Sequence, residues 1–177
     1  MRITRIVPFV GVLAFSAAAH AAVPPAAKFE GTFTSTIPKA QAEAQMKAEI
    51  HDTVDSLNFI IRPFARRRLK EATKQCAALT FDIRGTQLSI RCDDHPAAVS
   101  ALSGKQGVYE NEEQHKFALV QKAQGREIVQ VFADRDGKRT NRYLLSPDGR
   151  TLKVESTVES DRLKEPLKYT RMFEKNG

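Results

Sequence analysis

The residue types best suited to chemistry lie at the end of the chain. In "LKYTRMFEK", residues 167–175, period-two alternation puts Leu167, Tyr169, Arg171 and Phe173 on one face of a strand. If that face is the buried one, an arginine beside a phenol forms a clamp for a carboxylate or phosphate head group, because the planar guanidinium matches two acceptor oxygens. If Met172 marks the buried side instead, Arg171 lies in solvent; the sequence leaves both phases open. A second concentration of charge is "RPFARRRLK", which gathers Arg62, Arg66, Arg67, Arg68 and Lys70. It has two readings. As a surface-interaction patch it would attract anionic phospholipid, each basic residue contributing on the order of 1 kcal/mol near a membrane, or dock on an envelope protein; as a solvated helix face it is partly offset by Glu71. Nucleic acid is not an expected partner, since the chain has no Trp and few aromatic residues on which bases could stack.

Cys76 and Cys92 flank one expected hairpin, and a disulfide between them would contribute roughly 3 kcal/mol. A two-residue turn at Arg84 and Gly85 would set Cys92 opposite Ala77, so the bond requires Cys76 to lie where helix gives way to strand. The remaining candidates for chemistry are thin. His51 with Asp55 has helical spacing and "CDDH" clusters Asp93, Asp94 and His95, but neither supplies the paired histidines of a zinc site. "DRDG" lacks the further ligands of a calcium loop and reads as a turn. With no nucleophile elbow, phosphate loop or triad order, no catalytic residue, metal or cofactor is assigned, and the chain does not read as an enzyme.

What must position these residues is mostly sheet. Residues 1–21 read as a secretory signal peptide: Arg2 and Arg5, an apolar run from Ile6 to Ala19, and Ala19-His20-Ala21 as the cleavage site. That predicts a periplasmic or secreted protein, soluble once cleaved. The full sequence carries a net charge of +7, which stays mildly positive without the two leader arginines. After a linker at 22–28, residues 29–177 are long enough for one domain with a core of its own. "KFEGTFTST" predicts a short strand with Phe29 and Phe33 on one face. A helical insertion over 38–75 follows, with Thr36 as cap and Ala42, Met46, Ile50, Val54, Leu57, Ile61 and Phe64 as its apolar stripe. Pro63 is expected to kink or split it. Beyond Cys76 period two takes over, with strands predicted at about 115–123, 126–133, 139–146, 150–159 and 166–174, a hairpin around Gly85, and a further strand between 98 and 110. In "SPDGR" Pro147 presets a type I turn and Gly149 takes the left-handed position. Connections this short permit only an antiparallel meander. The expected fold is therefore α+β: eight or nine strands as a barrel or half-barrel, with a long kinked helical insertion after the first strand.

Strand, helical insertion, then meander resembles the calycin group of lipocalins and fatty-acid-binding proteins. "FEGTF" at 29–33 is similar to the Gly-x-Trp element of their first strand, with Gly31 matching and Phe33 in place of Trp. The resemblance implies a ligand cavity under a helical lid, and its Arg-x-Tyr pair on the last strand corresponds, in reversed order, to Tyr169 and Arg171. On this reading the protein binds a small amphiphile such as a fatty acid or lipid, with Tyr169 and Arg171 at its head and Phe81, Leu152 and Val154 among the residues at its tail. The alternative is an interaction module that docks through Arg62, Arg66, Arg67 and Arg68.

Overall fold

The computed structural model describes residues 25–177, and the segment read as a signal peptide lies outside them. Its strands are β1 (Gly31–Ser35), β2 (Ala78–Arg84), β3 (Gln87–Cys92), β4 (Ala98–Ala101), β5 (Gly107–Glu110), β6 (Lys116–Gln124), β7 (Glu127–Ala133), β8 (Lys138–Leu145), β9 (Thr151–Glu159) and β10 (Leu167–Lys175). Between β1 and β2 lie two helices, α1 (Lys39–Asp55) and α2 (Arg62–Ala72). The expected eight or nine strands are thus ten, because the uncertain 98–110 segment holds both β4 and β5. All pairings are antiparallel, in the order β4-β3-β2-β1-β10-β9-β8-β7-β6-β5.

The two free edges of this sheet curl toward each other and nearly close a barrel. Ser103 bridges Lys122, the Gly104 amide donates to the Gln121 carbonyl at 2.9 Å, and the Ala123 amide donates to the Leu102 carbonyl at 3.2 Å. Gln121, fully buried, stitches the same seam: the Ser100 hydroxyl donates to its Oε1 and its Nε2 donates to the Ala98 carbonyl. Closure leaves little unpaired edge, which removes a site of aggregation.

Turn chemistry sets the register. Gly85 and Gly125 (φ +60° at each) occupy the first central position of the β2–β3 and β6–β7 hairpins, where a Gly-X turn needs a left-handed residue. Here the sequence reading is corrected by one position. The turn is Gly85–Thr86 with Arg84 opposite Gln87, so Cys92 faces Leu79 and not Ala77. The disulfide forms all the same, with Cα atoms 5.4 Å apart. The chain bends before β2, where the Ala77 and Ala78 amides both donate to Asp93 Oδ1 (2.9 and 2.8 Å). Burial would raise the Asp93 pKa, but the Lys39 ammonium at 2.9 Å and these two amides outweigh it and hold the carboxyl below its ordinary value.

The first strand and the helices also depart from expectation. Phe29 belongs to a 3-10 turn (Pro25–Phe29) and not to β1, yet it is buried together with Phe33. Pro38, not Thr36, sits at the α1 N-cap position, and the Thr36 hydroxyl donates to the Met172 carbonyl. The break falls at residues 56–61, ahead of Pro63, which stands in the first turn of α2, where its missing N–H costs nothing. That interruption rephases the apolar stripe. Met46, Ile50, Val54, Leu57 and Leu69 pack on Val158 and Leu167 over one end of the barrel, while Ile61 and Phe64 are turned out to solvent. The far end is a solid floor in which Phe81 meets Phe29, Phe33 and Tyr143 at ring-centroid distances of 5.8, 5.7 and 5.3 Å.

Candidate functional site

Cross-strand register divides the barrel interior into rows. The floor row is Phe173, Leu152 and Leu145. Above it run Arg171, Val154, Tyr143 and Ile128, then Tyr169, Ser156, Asn141, Gln130 and Gln121, and under the helices Leu167, Val158, Arg139, Phe132 and Leu119. The third row is polar at every position, in a wall whose period-two pattern is otherwise largely apolar.

Between that wall and α2 lies a cavity of about 460 Å³, floored by apolar side chains such as Leu79, Ile90 and Phe173. The volume falls within the range of small-molecule sites, roughly 300–1,000 Å³. Arg171 faces inward with its side chain 10% exposed, so the phase with Phe173 buried and Met172 outside is the one adopted. Its Nε donates to Gln75 Oε1 at 2.9 Å, Nη1 lies 3.6 Å from Glu49 Oε1, and Nη2 has no partner. Its guanidinium stands 5.3 Å from the Tyr169 ring. Arg139, packed on Phe132, donates from Nη1 to the Ala72 carbonyl and so ties down the end of α2, while its Nε is buried without a partner.

The polar row is internally bonded. Asn141 Nδ2 and the Tyr143 hydroxyl both donate to Gln130 Oε1 (3.1 and 2.8 Å), and the Ser156 hydroxyl donates to Asn141 Oδ1 at 3.0 Å. Burial pushes the Tyr143 phenol up to about 12, so at neutral pH it is a hydrogen-bond donor and not a charge. Gln130, 2% exposed, has its Nε2 unpartnered.

Of the five residues assigned to a ligand from sequence, Tyr169, Arg171 and Val154 line the cavity. Phe81 and Leu152 do not. They are 1% and 0% exposed and belong to the floor, where Phe29, brought in by the 3-10 turn, fills the space beside Phe81. The arginine cluster is largely spent within the molecule: Arg62 and Arg66 lie near Asp55, Arg67 near Glu71, and Arg68 bonds Asp136 in the β7–β8 turn, bridging lid and barrel. The three histidines among the described residues each meet carboxylates, His51 near Asp55, His95 at Glu112 and His115 at Asp134. No group of three or more His, Cys, Asp or Glu among the described residues could hold a metal. Sequence reasoning missed Gln130, Asn141, Ser156, Gln75 and Glu49. The first three were detectable as polar residues at inward positions of otherwise apolar alternation; the last two, brought in by the helical insertion, had no such signal.

No protein-family model and no curated protein sequence matches the chain. Solved structures do. Fatty-acid-binding protein 1 of Echinococcus granulosus superposes with a TM-score of 0.51 at 12% identity over 85% of this chain and 99% of that one. A Schistosoma mansoni fatty acid binding protein in complex with arachidonic acid gives 0.51 at 10% identity, covering 85% and 97%. Lipid binding protein 8 of Caenorhabditis elegans gives 0.51 at 11% identity, covering 88% and 100%. At such identities the likeness is one of fold: the chain has the nearly closed calycin barrel with its helical insertion after the first strand. Each of these three is named as a fatty-acid- or lipid-binding protein. The comparison corrects the expected destination. The fatty-acid-binding proteins that share this architecture are cytoplasmic, not periplasmic or secreted, and the segment on which export rested lies outside the described residues.

Proposed function

We propose that this protein binds a small amphiphile, a fatty acid or related lipid, in the cavity beneath α2. The observation that carries this reading is Arg171: a guanidinium with its side chain 10% exposed, one of whose terminal nitrogens is buried and unpartnered at the cavity wall. A buried donor without an acceptor is costly, about 1–3 kcal/mol and more when charged, and a ligand oxygen would relieve it. Tyr169 lies alongside, and Val154, Leu79, Ile90 and Phe173 offer apolar surface to a tail. Glu49 balances part of the charge on Arg171 through Oε1 at 3.6 Å, and its Oε2, like Nη2, is buried without a partner. Fatty-acid- and lipid-binding proteins of the same fold support the choice of ligand class.

Titration of the protein with palmitate tests it. Saturable one-to-one binding is expected, weakened about ten- to a hundredfold in Arg171→Met, the effect of losing a charge-assisted hydrogen bond. A native protein that neither takes up palmitate in solution nor retains lipid in native mass spectrometry would overturn the reading.

A second reading, docking on an anionic lipid surface, is favoured by one observation. The tip of the helical pair exposes Phe59, Ile60 and Phe64 at 76%, 62% and 62%, with Arg62, Arg66 and Arg67 beside them. Co-sedimentation with phosphatidylglycerol vesicles, lost in an Arg66→Glu, Arg67→Glu double variant that melts normally, is its expected signature; equal sedimentation of the two proteins would remove it.

A further inference from the structure

We infer that the preferred ligand carries a neutral hydroxyl or carbonyl group partway along its apolar body, received by Gln130. This rests on the binding reading above and narrows its ligand class. Three observations lead to it. The first is placement: Tyr169, Ser156, Asn141 and Gln130 occupy one inward row across four consecutive strands and line the same cavity. An unsubstituted tail would lie against this row and offer nothing to its unsatisfied Gln130 amide nitrogen, which is costly where no water can follow.

The second is arithmetic within the network. An amide has two polar atoms. Both neighbours of Gln130, the Tyr143 hydroxyl and the Asn141 amide, sit on one of them, and the other is buried without a partner. Turning the amide over exchanges donor for acceptor but still leaves one atom free, so a hydroxyl, which both donates and accepts, satisfies either orientation. The third is charge. Tyr143, Gln130, Asn141 and Ser156 carry none at neutral pH, and the cation of the next row, Arg139, donates to the Ala72 carbonyl, so the row itself offers no counter-ion to an anion.

The position on the ligand follows from topology. Arg171 stands on β10 and Gln130 on β7, three strands away, so their backbones are about 14 Å apart along the curved wall at roughly 4.8 Å per strand, the path of a chain that lies along that wall. A head group at Arg171 therefore places Gln130 beside the middle or distal part of a long acyl chain, not beside its first carbons.

Stearate and 12-hydroxystearate, titrated separately into the full chain below their aggregation limits, distinguish the outcomes. The native protein is expected to bind the hydroxylated acid about tenfold more tightly, the effect of one buried hydrogen bond gained. In Gln130→Leu that preference disappears, and the two acids bind with equal affinity. Equal affinities in the native protein overturn the inference and leave the binding reading standing, without any need for the variant to fold. A preference that survives in Gln130→Leu also overturns it, since some other group then reads the hydroxyl. If neither acid binds the native protein, the binding reading falls and takes this inference with it.

Discussion

At the floor of the barrel Phe173, Leu152 and Leu145 continue one another across three strands, whereas two rows closer to the helices the same strands carry Tyr169, Ser156 and Asn141. The backbone is equivalent in the two places, and the difference lies in how each fills its space. The floor is closed by side chains brought in from elsewhere, Phe29 from the 3-10 turn and Phe33 and Phe81 from the neighbouring strands, and the Tyr143 hydroxyl at its upper boundary is satisfied by Gln130. The upper rows meet helices that only partly fill the mouth. The polar atoms there satisfy one another except at Gln130, Arg139 and Arg171 and, from α1, Glu49. Stability is therefore concentrated where there is no vacancy, and binding chemistry where packing is incomplete.

The contrast is broken most severely by Phe81→Ala. Phe81 is 1% exposed and meets three aromatic rings, so its truncation is expected to cost about 3–5 kcal/mol, read from the urea midpoint. In the polar row Ser156→Ala removes one donor to Asn141 and should cost only about 1 kcal/mol in the same assay. If the two losses are equal, the division between floor and upper rows is not energetic. Next in size is the Cys76–Cys92 bond, which joins the segment just ahead of β2 to the end of β3. Cys76→Ser with Cys92→Ser is expected to lose about 3 kcal/mol, mainly by freeing the unfolded chain. Reduction of the native protein should match it.

Much of this organisation was legible beforehand. Alternation beyond Cys76 located the later strands to within a residue or two and showed Arg171 and Phe173 on the same face, because a half-buried strand repeats every two residues. The site itself was only half legible. Arg171 owes its geometry to Gln75, 96 residues away in sequence, and to Glu49 on α1, and a contact between a helical lid and the last strand leaves no periodic trace. The stripe extended through Ile61 and Phe64 failed for a different reason. Periodicity assumes an unbroken helix, and the residues between Asp55 and Arg62 change the phase. Alternation assigns Phe81 and Leu152 to a tail because they face inward, but inward is not the same as lining a vacancy.

Tyr143 sits at the boundary between the two regions, touching Phe81 below and Gln130 above, and its titration measures how dry that boundary is. Its phenol ionises near its ordinary value of 10.0 in the unfolded chain and at about 12 when folded. Between those values the unfolded state releases its proton first, so stability falls as pH rises from about 10 to 12, by about 2–3 kcal/mol from this group; below pH 10 the contribution is complete and constant. Because lysines and other tyrosines titrate nearby, the readout is the difference between native protein and Tyr143→Phe, which should be flat up to pH 10 and then narrow as the native protein loses its advantage. A difference that stays constant to pH 12 would mean that water reaches the phenol.

The smallest effect is expected from an exposed arginine on α2 at the rim of the cavity. Arg67 is 73% exposed and lies 3.9 Å from Glu71 one helical turn on, a geometry worth about 0.3–0.5 kcal/mol at most and screened by salt. Arg171 has the same side chain but is enclosed by Gln75 and Glu49. Arg67→Ala should therefore leave both the urea midpoint and palmitate affinity unchanged within error, whereas Arg171→Met weakens palmitate binding. An affinity that falls with Arg67 as well would point to a ligand entering across α2 under electrostatic guidance. Salt would then slow binding by the native protein but not by Arg67→Ala, because only the exposed charge is screened over that distance.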